Sequence, residues 1–288
     1  MAVAVAAVWG FNFVAIRWGL DDFPPILLAC LRFAVAALPA LIVPRPPVQW
    51  PRLGAIGGAW FVVQFALLFI GMEAGMPPGL ASVMMQSQVF FTVLFAALVL
   101  GERPLPRHLA GMAVAVAGVV AIGASVGGQG SDVTWLGLAL VLAASATWAV
   151  GNVIMRGVGR VEFLPMIVWL SVVAPVPLLI VSLIFEGPAA IGASLRAWTW
   201  LGAASIVFQG AIATIGGYGM WSYLLRLYPA SSVAPYSLLV PVFGIASAAL
   251  VFGERFGTLR LFGIVLILAG IAIVALPAEW LRLRRRAA

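Results

Sequence analysis

The sequence predicts an all-α membrane protein whose ten transmembrane helices form two inverted five-helix repeats. Three observations lead there. Of 288 residues, 64% are hydrophobic and 9% charged, with a mean hydropathy of +1.15, whereas a soluble domain carries about 25% charged residues. Breaking the apolar pattern at charges, Gly and Pro leaves ten stretches near the roughly 20 residues that cross a bilayer. The third observation is a segment of the first half that recurs in the second. Little length remains for a separate catalytic or nucleic-acid-binding domain.

The expected spans are residues 3–20, 26–43, 54–72, 79–100, 108–126, 135–155, 164–185, 198–225, 231–252 and 259–276. The first lacks a basic leader and a small-residue cleavage site and carries Trp9, Asn12 and Arg17, so it reads as a mature span rather than a signal peptide. The second holds Cys30 and Arg32, and the third holds Trp60 and Gln64 and ends at Glu73. Ser82, Gln86 and Gln88 lie on the fourth, which runs to Gly101-Glu102-Arg103, and the fifth carries Gly111 and Gly118. A Gly-rich joint then separates residues 1–126, the first repeat, from 135–277, the second; the link is 127–134 and a basic tail follows at 278–288. Trp148 and Asn152 lie on the sixth span. On the eighth, Tyr218 and Trp221 sit beside Gly216, Gly217 and Gly219, which mark it as the bending element. The ninth carries Tyr236, Ser237 and Pro241, and the tenth completes the second repeat.

All 16 basic residues are Arg, and the net charge is +7. With the N-terminus inside, the cytoplasmic side collects Arg45, Arg52, Arg103, Arg107, Arg156, Arg160, Arg226 and the tail arginines, 11 of the 16. The other side takes Asp21, Asp22, Glu73, Asp132, Glu186 and Glu254. Both termini are therefore expected in the cytoplasm. The cluster Arg282, Arg284, Arg285 and Arg286 suits anionic lipid at the inner leaflet better than nucleic acid. One Cys and one His leave no disulfide, no metal constellation and no cofactor chemistry to expect.

Leu98-Val99-Leu100-Gly101-Glu102-Arg103 recurs as Leu250-Val251-Phe252-Gly253-Glu254-Arg255, an offset of 152. At that offset Pro77 meets Pro229, Phe91 meets Phe243, Gly111 meets Gly263 and Gly118 meets Gly270. A looser echo, offset by 139, aligns Trp9 and Arg17 with Trp148 and Arg156. The repeat unit is thus five spans. Because five is odd, the halves must enter the membrane from opposite sides, an arrangement that recurs in secondary transporters.

Trp9-Gly10-Phe11-Asn12-Phe13, Leu31-Arg32-Phe33, Leu225-Arg226-Leu227-Tyr228-Pro229-Ala230-Ser231, and Pro241-Val242-Phe243 running to Gly253-Glu254-Arg255 resemble the EamA-type branch of the drug/metabolite transporter (DMT) superfamily. Leu261-Phe262-Gly263 through Leu268-Ala269-Gly270 completes the likeness, which covers the whole chain. It implies a ten-helix exporter of a bacterial inner membrane, similar to those that export aromatic and other amino acids. The implied partners are a small metabolite and the bilayer, with the chain a monomer or weak oligomer. Glu73 departs from the pattern, since a basic residue often follows the third span in relatives.

Arg32, about seven residues into its span, offers a counter-charge for a substrate carboxylate or for Glu73; the alternative is a side chain snorkelling to the interface. Trp9 with Asn12 and Trp148 with Asn152 are spaced to share helical faces, either lining a cavity or serving as belt residues and interhelical glue. Ser82, Gln86 and Tyr236 extend a polar strip, with Pro241 freeing a carbonyl, and Trp60, Gln64, Tyr218 and Trp221 follow the same logic. The two Gly-Glu-Arg motifs read as structural helix ends. No nucleophile or carboxylate cluster at mid-depth supports an enzyme, so the classes left are a carrier, of amino acids or of drugs, quaternary amines or nucleotide sugars, and a passive pore or scaffold. Every carboxylate falls in a link, a tail or a last turn, which predicts a carrier able to run down its substrate gradient without a proton relay.

Overall fold

The computed structural model describes residues 1–127, 133–159 and 161–275, and every regular element among them is helical. The helices are α1 (Ala2–Leu20), α2 (Pro25–Leu41), α3 (Trp50–Glu73), α4 (Pro78–Leu100), α5 (Pro106–Ala124), α6 (Trp135–Arg156), α7 (Phe163–Phe185), α8 (Gly187–Ala197), α9 (Trp200–Leu227), α10 (Ala234–Phe252) and α11 (Thr258–Ala275). Eight are long and apolar enough to cross a membrane, and α2 and α11 are shorter apolar helices. The short helix α8, in the link after residue 185, is an addition to the expected spans. Residues 128–132 of the expected joint, Arg160 and the basic tail lie outside the described residues.

Local chemistry sets the ends. Pro25, Pro78 and Pro106 open their helices at the first position, where a missing N–H costs nothing. Thr134 and Thr199 cap α6 and α9 by accepting from Gly137 N and Gly202 N. Gly101 and Gly253 end α4 and α10 in the left-handed region, at φ of +68° and +67°. These two caps are the recurring Gly-Glu-Arg motifs.

The repeat-related helices α5 and α11 run antiparallel and touch through glycine. A Cβ on Gly111 would lie 2.6 Å from Gly270 O, and one on Gly118 would lie 2.6 Å from Gly263 O; the reciprocal distances are 2.5 and 2.7 Å. Backbones that close leave no room for side chains, so the glycines decide the register. Elsewhere α1 packs against α9 and α10, while α6 packs against α3 and α4. A core of Phe33, Phe61, Phe65 and Phe69 ties α2 to α3, with Phe33 and Phe61 stacked at 4.5 Å.

Four helix irregularities shape the interior. The chain is π-helical over Gly58–Val63 in α3 and Phe208–Gly216 in α9, and 3₁₀-helical over Met85–Ser87 in α4 and Ala234–Leu238 in α10. The distortion of α9 begins before the glycines expected to bend it, where the helix meets α2: a Cβ on Gly210 would lie 2.6 Å from Arg32 O.

One face of the bundle gathers Arg52, Arg156 and Arg226, which bond to Gly157 O, Glu102 and Glu162. On the other, Asp22, Glu186 and Glu254 bond to the starts of α9, α2 and α4. We call these the arginine-rich and acidic faces. The α5–α11 contact yields a stability test: Gly118→Ala should destabilise the protein by about 1–3 kcal/mol through overpacking, read as a lower midpoint of thermal unfolding. Gly54→Ala, with nothing within 4 Å of its added Cβ, should leave the midpoint unchanged or slightly higher.

Candidate functional site

A cavity of about 350 Å³ lies inside the bundle. Asn12, Arg32, Gln64 and Gln86 reach it from the middles of their helices. Trp148 and Asn152 on α6, Phe163 on α7, Tyr218 and Trp221 on α9, and Ser237 and Val240 on α10 line it from the halves nearest the arginine-rich face. Toward the acidic face the helix ends are tied together by the carboxylate bonds just described.

Arg32 is the electrostatic centre. Its side chain is buried at 4% exposure, with the guanidinium carbon 4.1 Å from the Phe65 ring centre. Nη2 donates to Thr214 Oγ1 at 3.1 Å, and Thr214 Oγ1 donates to Gln209 O at 2.8 Å, a carbonyl five residues back in the π-helical turn. Among the described residues, Arg32 Nε and Nη1 have no hydrogen-bond partner. The same holds for two buried acceptors on this cavity, Asn12 Oδ1 and Gln64 Oε1. Two donors of a cation and two amide oxygens therefore share one apolar enclosure. Buried polar atoms normally find partners, so this combination is suited to a ligand carrying both a carboxylate and a donor group.

Aromatic rings supply the walls. Trp9 Nε1 donates to Ala213 O at 2.9 Å, and its ring meets Tyr218 at 5.0 Å and Trp221 at 5.4 Å. Trp60 Nε1 donates to Trp148 O at 3.0 Å, with the two indoles stacked at 5.0 Å. Pro241 has no N–H for the carbonyl of Ser237 four residues back, and Gln86 Nε2 donates to that oxygen at 3.2 Å. Asn152 Nδ2 donates to Gln88 Oε1 and Thr92 Oγ1, so this residue links α6 to α4 while also lining the cavity.

Three expected site residues lie elsewhere. Ser82 is buried where α4 meets α10, donates to Gly79 O at 2.6 Å and faces Gly244. Tyr236 is 43% exposed and borders a separate pocket with Met1 and Tyr228. Both misplacements have one cause: a 3₁₀ segment turns in about three residues instead of 3.6, and this rotates Met85 and Gln88, or Ser237 and Val240, into the cavity. Glu73 is exposed at the end of α3 on the acidic face and does not line the cavity. Sequence reasoning missed Thr214, which holds Arg32; its signal is a hydroxyl in an apolar span, four residues before Tyr218 on the same face. The apolar lining of Phe13, Phe65, Leu68, Met85, Phe163 and Val240 carries no signal that separates it from ordinary core.

Comparison with known proteins gives consistent results. Residues 1–124 and 135–276 match the EamA-like transporter family. A protein of Escherichia coli strain K12 described as a "Probable amino-acid metabolite efflux pump" is 42% identical over 286 residues, covering 97% of this chain and 95% of its own. A protein of Salmonella typhimurium with the same description is 43% identical over 279 residues, covering 95% and 93%. At 30% identity over 281 residues, and 94% and 91% coverage, the chain is similar to a "Probable terminal-alkyne amino-acid exporter" of Streptantibioticus cattleyicolor. A solved crystal structure superposes with a TM-score of 0.65 at 20% identity, covering 100% of this chain and 98% of its own, a likeness of fold.

The Arg32–Thr214 bond makes a paired prediction. Thr214→Val strands a buried cation and should cost about 1–3 kcal/mol of stability. Arg32→Met removes the charge with its desolvation cost and should be nearly neutral or stabilising. Thermal midpoints of the two purified variants in detergent check the order; a larger loss in Arg32→Met would show that the guanidinium is held by more than this bond.

Proposed function

The chain belongs to the EamA-like transporter family, and from that premise we propose that it exports amino acids and related small metabolites by alternating access. It is a multi-pass membrane protein and a transporter, not an enzyme. The relatives described as amino-acid efflux pumps and exporters support the substrate class. The observation that carries the reading is the set of unpartnered polar atoms in one cavity. Arg32 Nε and Nη1 are offered to a carboxylate, and Asn12 Oδ1 and Gln64 Oε1 to an ammonium, while the indole and phenol rings take the side chain. None of these wall contacts specifies one side chain, so the reading is of a permissive carrier.

The proposed topology is ten spans in two inverted halves, with the arginine-rich face in the cytoplasm of a bacterial inner membrane. The reciprocal antiparallel contact of α5 with α11 supports the inversion. On this topology the cavity opens inward. Asp21, Asp22, Glu73, Glu102, Glu162, Glu186 and Glu254 all sit in links or at helix ends, which supports transport down a substrate gradient without a proton relay at mid-depth.

Reconstituted in liposomes with no pH or voltage gradient, the protein should equilibrate radiolabelled amino acids with saturable kinetics. A strict requirement for an imposed proton gradient would overturn the facilitator mechanism, and flux that never saturates would favour a pore. Arg32→Met should weaken apparent affinity for amino acids by about 30-fold, and should leave little discrimination between an amino acid and its amide. Transport of nucleotide sugars or quaternary amines, and of no amino acid, would overturn the substrate assignment.

A further inference from the structure

The two Gly-Glu-Arg motifs are equivalent in sequence and differently engaged in the structure. At the acidic face, Glu254 reaches the first turn of α4, where Gly79 N donates to its Oε1 and Oε2 at 3.3 and 3.2 Å. Gly79 permits the approach, since a Cβ there would lie 2.6 Å from Glu254 Oε2. The carboxylate thereby joins the end of α10, in one half, to the start of α4, in the other, and its charge suits a helix N-terminus. The offset of 152 carries Glu254 back to Glu102. At the arginine-rich face Glu102 is half-exposed and pairs with Arg156.

A second pair of equivalent places shows the same difference. Near the acidic face α3 and α6 are in close contact: a Cβ on Gly71 would lie 2.9 Å from Val141 Cγ2 and 3.1 Å from Leu140 Cβ. The equivalents of Leu140 and Val141 at the offset of 139 are Met1 and Ala2, and the equivalent of Gly71 at 152 is Tyr223, the neighbour of Leu224. Met1, Ala2 and Leu224 border a pocket of about 300 Å³. The contact closed at one face is gapped at the other.

We propose that Glu254, held by Gly79, and its repeat partner Glu102 are a pair of alternating latches. The first holds the acidic face shut while the cavity opens toward the arginine-rich face. In the opposite state Glu254 leaves Gly79, the pocket between α1 and the end of α9 closes, and Glu102 leaves Arg156 to hold the arginine-rich face shut. The two glutamates are positioning residues: neither touches the substrate, and each biases which face is closed. This inference rests on the alternating-access reading and adds the residues that set its equilibrium.

The test uses the full-length chain with Cys30→Ser, reconstituted in liposomes, and two single-cysteine reporters probed with a membrane-impermeant maleimide. Ile16→Cys, fully buried and four residues beyond Asn12 on α1, reports opening of the acidic face. Ser237→Cys, on the cavity wall, reports opening of the arginine-rich face. Glu254→Gln should raise the labelling rate of Ile16→Cys about fivefold, the worth of one helix cap, and lower that of Ser237→Cys. Gly79→Ala, which leaves every charge in place and crowds the Glu254 carboxylate together with the Phe256 ring, should do the same. Glu102→Gln should shift both rates in the opposite direction. A variant that merely loosened the fold would raise labelling at both reporters, and that result in Gly79→Ala would overturn the latch. If substrate shifts the two reporters oppositely in the parent protein while all three variants label as the parent does, alternating access stands and the latches fall. If Ile16→Cys is never labelled from the acidic face, with or without amino acid, both readings fall.

Discussion

Hydrocarbon offers no hydrogen bonds, so wherever a membrane helix loses one the replacement must come from another part of the protein. This constraint explains why the broken helices and the cavity involve the same residues. Pro241 leaves Ser237 O without its helical donor, and Gln86 of α4 supplies one. The π-helical stretch of α9 frees carbonyls, of which Ala213 O takes the Trp9 indole and Gln209 O takes the Thr214 hydroxyl. Thr214 in turn accepts from Arg32. Each repair crosses a helix interface or links to one that does, so repairing the backbone also draws polar side chains to one place. An unbroken set of helices would have no reason to collect them.

The same economy governs approach. Where α5 meets α11, glycine replaces side-chain packing with backbone contact, and the two contacts are reciprocal. Between the glycines the seam is backbone contact, and its polar bond, from Arg260 Nε to Ser125 Oγ at 3.3 Å, lies at its end on the acidic face. Interfaces that carry carboxylates lie at both faces: between α10 and α4 and between Asp22 and the start of α9 at the acidic face, and in the Arg156–Glu102 and Arg226–Glu162 pairs at the arginine-rich face. A rigid apolar seam beside polar, exchangeable end contacts is the combination that lets one part of a bundle rock against another while the packing of each part persists.

Much of this was legible in the residues. Helix ends fall within a few positions of those expected, because charges, prolines and glycines mark them regardless of how the helices pack. Trp9, Asn12, Trp60, Gln64, Gln86, Trp148, Asn152, Tyr218 and Trp221 all line the one cavity, as helical spacing can suggest. Tyr236 and Ser82 went astray because face assignments assume 3.6 residues per turn, and the 3₁₀ segments that break the assumption form only in tertiary context. For Arg32, burial at 4% speaks against snorkelling to the interface, and burial is a quantity a linear pattern does not contain. The helix α8 was invisible for the opposite reason: eleven residues with a single buried position, Ile191, leave almost no apolar period to read.

The state of Arg32 also bears on why a carrier would keep such a residue. A cation permanently paired with a carboxylate of its own chain would make substrate compete with an internal partner, and binding would then exchange one ion pair for another with little net gain. A cation with no compensation would be too costly to bury. Arg32 sits between these limits: one neutral hydroxyl at 3.1 Å and two aromatic rings, Phe65 at 4.1 Å and Phe33 at 5.3 Å, hold it in place, and none neutralises its charge. On the proposed reading, the substrate's carboxylate is what completes the pair. Because Thr214 belongs to the π-helical stretch of α9, any movement of the guanidinium toward that carboxylate pulls on the helix that carries Tyr218 and Trp221. Occupancy of the site is thereby linked to the conformation of its own wall, which is the differential interaction a substrate must have if its binding is to shift the balance between two states.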